Sequence, residues 1–202
     1  RSRKQAIEIR KKVGDEILLK ETCNLPVSGG SSLASILWIK ENQPEIWDNT
    51  YKFGHTNTYI NKKMTGAWVI DPSTTSITSM YNTAKDNLEW NEKVLETMGV
   101  PLSKLPHLMR SHQTSGQILP DIATQIGIPK DSYVLVGGND AVLASWSSGS
   151  FQPGDMFNIH GTCDITSVNT IRPVYSKNFN VRCHVLPNKW VTFYVLNTGG
   201  KA

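Results

Sequence analysis

Up to about Ser148 the apolar positions fall at helical spacing between breakers, and beyond it they gather into short strand-like runs. Ala6, Ile9 and Val13 share one helical face, Ser2-Arg3-Lys4-Gln5 ahead of them fits a capping box, and Gly14 can end that helix. Leu33, Ile36 and Leu37 predict a second helix, capped by Ser31 or Ser32 and stopped by Pro44. Residues 56–63 predict a third, closed near Gly66. The apolar run Ala67-Trp68-Val69-Ile70 leads into Asp71-Pro72-Ser73-Thr74, turn chemistry in which Asp71 holds an Asx-type turn. Glu92–Met98 is an amphipathic helix ended by Gly99 and Pro101, and Pro120–Ile126 is a short one with Gly127 after it.

The second pattern begins with Met156–His160 and residues 165–168, two strands around the turn Gly161-Thr162-Cys163-Asp164. Residues 181–185 and Trp190–Leu196 read as a hairpin around Leu186-Pro187-Asn188-Lys189. The change of character places a domain boundary at residues 147–149. Between the two regimes lies the most informative stretch. Residues 133–136 are apolar and β-branched, Gly137 and Gly138 end the run, Asn139 and Asp140 follow, and an apolar helix continues from there. A carboxylate is thereby placed at the C-terminal end of a buried strand, before a helix, where open α/β sheets bind ligands. Asp140 has two readings: a general base for a bound hydroxyl, or the N-cap of the next helix. The turn at Gly161 and Thr162 also has two: a phosphate-binding turn of backbone N–H groups and a hydroxyl, or a plain hairpin turn. Together they suggest phosphoryl transfer to a hydroxyl.

Length and charge narrow the field. The chain has 202 residues, enough for one sizeable core or two small domains, and a formal net charge of +4. The densest basic cluster, from Arg1 to Lys12, reads as a solvated helix face, so no nucleic-acid partner is expected. No apolar run is long enough to span a membrane, and the charged start is unlike a signal peptide. Cys23, Cys163 and Cys183 are odd in number and read as reduced thiols of a cytoplasmic protein. The five histidines show no ligand pair at helical spacing, so no metal site in the chain is expected. Trp38, Trp47, Trp68 and Trp90 are read as core or interface residues rather than sugar-stacking platforms. No nucleophile-elbow motif supports a serine hydrolase.

Several segments, in order, resemble the FGGY family of carbohydrate kinases, and its xylulokinase branch most. Leu37-Trp38-Ile39-Lys40 with Gln43-Pro44-Glu45-Ile46 is similar to the family's Leu-Trp…Pro-Glu helix. Tyr59 through Met64-Thr65-Gly66, Asp71-Pro72-Ser73 with Thr78, Leu105-Pro106, Gly116, the Gly137-Gly138-Asn139-Asp140 block, Cys183-His184 and Trp190 also match its pattern. Gly161-Thr162-Cys163 stands where members have Gly-Thr-Ser.

The resemblance implies an α/β fold of the ribonuclease H/actin-like type, two domains around a cleft, with only its central part present. Residues 1–148 would be the later part of the N-terminal, sugar-binding domain, and 149–202 the start of the C-terminal, nucleotide-binding one. It implies ATP-dependent phosphorylation of a sugar or polyol, with Mg2+ and with Asp140 as general base. Arg1, Asn139 and Asp140 would bind the substrate, and Gly161 and Thr162 the phosphate. A homodimer stays open. The departures are Ser35 where a Lys is common, Thr58 where an Asp precedes the Tyr, and Cys163 for Ser. The family's Trp-x-Asp-x-Arg element is present only from its Arg, matched by Arg1, and its upstream phosphate loop and C-terminal adenosine site are missing. The chain is therefore expected to be part of a longer protein and unable to phosphorylate anything alone. The departures keep a non-catalytic sugar-binding or regulatory homologue as the alternative.

Overall fold

The computed structural model describes residues 1–161 and 164–196. The helical half opens with α1 (Arg3–Val13), α2 (Asp15–Thr22) and α3 (Ser32–Asn42). Then come α4 (Pro44–Asn49), α5 (Thr56–Thr65), β1 (Val69–Ile70), α6 (Pro72–Thr75), α7 (Glu92–Met98) and β2 (His107–Leu108). After β3 (Thr114–Gln117), α8 (Pro120–Ile126) and β4 (Tyr133–Leu135), helix α9 (Asp140–Ser147) leads into four strands. These are β5 (Met156–His160), β6 (Asp164–Thr170), β7 (Asn180–Cys183) and β8 (Trp190–Leu196).

β1 and β2 pair in parallel, β3 and β4 antiparallel, and the last four strands form an antiparallel sheet in the order β5-β6-β8-β7. One core joins the halves: Ile9, Leu18, Leu33, Ile70, Met80 and Tyr81 pack in the same cluster as Val181, Cys183 and Trp190. Buried Asn24 holds β7 in place, donating to the Val181 carbonyl at 2.7 Å and accepting from its N–H at 2.9 Å. Cys183 N–H donates to Ser76 Oγ, and the Trp190 indole to the Thr83 carbonyl. A smaller cluster of Val142, Val185, Val191 and Phe193 seats α9 on the sheet. Among the described residues no helix is long and apolar enough to cross a membrane.

The cap-delimited helices α7 and α8 begin and end as the pattern predicts, and Gly14 and Gly66 close α1 and α5. Three expectations change. The capping box at Ser2 does not form: Ser2 is buried and its Oγ accepts from Gly29 N–H, while Gln5 reaches Glu41. The run at 133–136 is not a buried strand, since Tyr133 and Leu135 are 69% and 57% exposed and only Val136 is buried. The helix after Asp140 is capped by Asn139, whose Oδ1 accepts from Val142 N–H, so Asp140 is its first residue and not its N-cap.

Candidate functional site

Asp140 sits on a turn that is held rigidly from behind. Val136 is the last buried residue before it, and its carbonyl accepts from Asn61 Nδ2 at 3.0 Å. Gly137 turns the chain with a φ of 77°, a left-handed value that glycine takes without steric cost, and its N–H donates to the Ser111 carbonyl. Asn139 N–H donates to Ser73 Oγ at 2.9 Å. Ser73 Oγ in turn donates to Asp71 Oδ2. Asp71 is fully buried and is the hub of this scaffold. Its carboxylate accepts from Ser73 N–H (2.8 Å), Thr74 N–H (3.3 Å), Ser111 Oγ (3.2 Å) and Asn57 Nδ2 (3.1 Å). The expected Asx-type turn is present, and it carries a second load, because a buried carboxylate with this many donors locks α6, α5 and the Asp140 turn together.

In front of the turn, Asp140 is exposed. Its Oδ1 accepts from Ala141 N–H at 2.8 Å, and among the described residues no protein donor reaches its Oδ2. Asn139 is half-buried and committed: its Oδ1 caps α9 and also accepts from Arg182 Nη1. Arg182 comes from β7, its Nε donating to Asn180 Oδ1 at 3.2 Å and its guanidinium lying 4.9 Å from the Phe193 ring centroid. Burial draws the Arg182 pKa down to about 10, against the nearby Asp140 charge, which raises it. Strand alternation carries a signal for this residue: Val181 and Cys183 face the core, so Arg182 must face the other way. Its meeting with Asn139, 43 residues distant, depends on tertiary packing and is not readable from the sequence.

A cavity of about 490 Å³ opens beside this scaffold, walled by Gly30, Ser32, Ser35, Phe53, His55 and Ile70 among others. Ile70 ends β1 and is the residue before Asp71, so the cavity adjoins the Asp71 hub. Ser32 Oγ and His55 Nε2 are 2.8 Å apart. Burial lowers the His55 pKa; Asp71 opposes that and Arg182 adds to it. His55 therefore faces the cavity as a neutral ring near neutral pH. Gly29, on the same wall, donates to Ser2 Oγ, which places Arg1 one residue from the cavity rim. No hydrogen bond among the described residues links the exposed Arg1 to Asn139 or Asp140.

Gly161 is exposed at the end of β5. Thr162 lies outside the described residues. Ile165, near the start of β6, packs on the cluster that holds Ala141 and Val142. Among the described residues no group of three His, Cys, Asp or Glu side chains could hold a metal ion. Magnesium needs no such group, because it is held by one or two carboxylates with phosphates and water. Of the two carboxylates near this turn, Asp71 is consumed by protein donors and Asp140 keeps one open oxygen, the one a bound hydroxyl would need, so magnesium would be held mainly by phosphates and water.

The chain is similar to carbohydrate kinases over nearly its whole length. Gluconokinase of Bacillus subtilis (strain 168) is 27% identical over 201 residues, covering 99% of this chain and 39% of that protein. Xylulose kinase of Staphylococcus xylosus is 27% identical over 202 residues, covering 98% and 41%. Xylulose kinase from Rhodospirillum rubrum superposes with a TM-score of 0.90 at 21% identity, over 100% of this chain and 41% of that one. Plasmodium falciparum glycerol kinase with ADP superposes at 0.86 and 19% identity, again over 100% and 41%. The chain thus spans about two fifths of the length of these relatives, and its fold is their ribonuclease H/actin-like one in part. The model of the N-terminal domain of the FGGY family of carbohydrate kinases matches residues 1–146, and the chain belongs to that family.

Proposed function

We propose that the protein carrying this chain transfers the γ-phosphoryl group of ATP to a hydroxyl of a sugar or polyol, with Asp140 as the general base. The observation that carries this reading is the contrast at the turn: an exposed carboxylate with an open Oδ2, on a backbone fixed through Asn61, Ser73 and Ser111. A base must be positioned before its proton affinity matters, and this one is held by secondary interactions on three sides. The acceptor hydroxyl attacks the γ-phosphorus, the bond to the ADP oxygen breaks, and the hydroxyl proton passes to Asp140 Oδ2. General-base help of this kind is worth about 10²–10⁴-fold, with positioning and charge neutralisation contributing the larger share.

The cavity walled by Ser32 and His55 is of the size that takes a small ligand, and its hydroxyl and neutral imidazole suit a polyhydroxylated one. Arg1, next in the chain to Ser2 behind that rim, would add a contact to the acceptor. Asn139 would act on the acceptor through the turn it caps. Gly161 and Thr162 would meet the phosphates, and Mg2+, when bound, would neutralise charge on them. Residues 1–148 would belong to the sugar-binding domain and 149–202 to the nucleotide-binding one. Candidate acceptors follow the relatives: a pentulose, as for the xylulose kinases, or a sugar acid, as for the gluconokinases. Action in the cytoplasm, with or without self-association, completes the proposal.

A coupled ADP-release assay of the full protein across pentuloses, hexuloses, polyols and aldonates tests it. Release stimulated by one acceptor class is expected. Acceptor binding without ADP release would instead support a non-catalytic sugar-binding protein.

A further inference from the structure

Arg182 has more donors than the protein uses. Nε and one Nη1 hydrogen are taken by Asn180 and Asn139, both neutral acceptors. Among the described residues no carboxylate lies within ion-pair distance of it, and no protein acceptor meets Nη2. The residue is half-buried, and burial pulls its pKa down to about 10. A cation kept in such a place without an ion-pair contact is costly, since the Asp140 charge offsets its desolvation only in part. Packing alone does not explain the choice, because an uncharged side chain would cover Phe193 as well.

We infer that Arg182 is an oxyanion-binding residue of the Asp140 site, fitted to the carboxylate of a sugar-acid acceptor. This rests on the proposed kinase reading and narrows its acceptor class. The free edge of the guanidinium is a planar fork that matches a carboxylate in two parallel hydrogen bonds. The charge balance points the same way. A sugar acid brings a negative charge towards the Asp140 carboxylate, and like charges brought close repel. Arg182, close enough to Asp140 for the two charges to interact, offsets that repulsion. A neutral ketose or polyol needs no such cation. Arg182 also sits on the Asn139 cap, so an acid bound to it would lie against the turn that presents the base. The same fork suits a second oxyanion, the transferred phosphoryl group, and the test separates the two.

Isothermal titration of the full protein with D-gluconate, with the matching neutral polyol D-glucitol and with inorganic phosphate reads this directly, without turnover. The wild type should bind gluconate more tightly than glucitol. Arg182→Met, which keeps an apolar chain over Phe193, should weaken gluconate about tenfold or more and narrow the preference over glucitol, as loss of a charged hydrogen bond predicts. Arg182→Lys should restore part of that preference. If Arg182→Met weakens phosphate and leaves gluconate unchanged, the oxyanion is the phosphoryl group and the sugar-acid assignment is overturned. If no ligand is affected while the melting temperature holds, Arg182 is only a clamp on Asn139. A failure of the kinase reading shows separately, as an absence of ADP release with every acceptor.

Discussion

Gly138 is the residue at which the scaffold behind Asp140 can be strained with one carbon atom. A Cβ built there would lie 2.8 Å from Val185 Cγ1, 3.1 Å from Ser73 Oγ and 3.4 Å from Ser111 Oγ. Its φ is outside the left-handed range, so alanine strains no dihedral and the effect of Gly138→Ala is steric. Val185 cannot swing away cheaply: its β-branched side chain has few rotamers and is 7% exposed in the cluster with Val142 and Phe193. Ser73 cannot move without loosening Asp71 and the Asn139 N–H. The turn must therefore shift outward, at a cost of about 1–3 kcal/mol in stability. A displacement of about 1 Å at a reacting group can lower the rate about 10²-fold. The assay pairs the melting temperature with kcat for Gly138→Ala, Val185→Ala and the double variant. Val185→Ala removes the closest clash, so the double variant should recover at least 0.5 kcal/mol, roughly, over the sum of the singles, along with part of kcat. Near-wild-type kcat in Gly138→Ala, or strict additivity in the double variant, would refute the idea that backbone packing positions Asp140.

Two further outcomes follow from buried polar groups. Asp86, 2% exposed, accepts from Arg110 Nη1 at 2.6 Å and from Tyr81 OH at 2.9 Å; Arg110→Met leaves that carboxylate without its cation and should cost about 3–5 kcal/mol by denaturant unfolding. A loss under 1 kcal/mol, roughly, would show that Tyr81 alone satisfies Asp86. Burial, with Lys189 adding to it, lowers the His184 pKa to about 4, below its unfolded value near 6.5, so the unfolded state binds the proton first. Stability should be full above pH 6.5 or so and fall as the pH drops towards 4, by on the order of 3 kcal/mol. His184→Asn, which keeps an acceptor for the Leu186 N–H now bound at 2.9 Å, should flatten that slope in pH-dependent melting; an unchanged slope assigns it elsewhere.

What was legible in the sequence had local causes. Helices α7 and α8 have a cap or proline at one end and glycine at the other, so their bounds follow from a few adjacent residues. Helix α2 escaped because it follows Gly14 without a loop and buries only Leu18 and Thr22, too few positions to show a period. The apolar run 133–136 looked like a buried strand, but β4 pairs only with β3 among the described residues and turns two of its side chains outward. The Asp140 block was conspicuous for its glycines and acid. Its supports were not, because Asn61, Ser73, Ser111 and Arg182 lie 29 to 79 residues from Asp140 and meet its turn only through the fold.

The central claim, that Asp140 is a base and not a structural residue, is tested most directly by Asp140→Asn. Asn139, not Asp140, caps α9, and Asp140 is exposed with, among the described residues, a single hydrogen bond from its neighbour's N–H. The substitution should therefore change stability by less than about 1 kcal/mol, the worth of one charge at a helix start. It removes the proton acceptor, so kcat for sugar-dependent ADP release should fall by about 10²-fold or more. An unaltered kcat, with or without a lower melting temperature, would contradict the account.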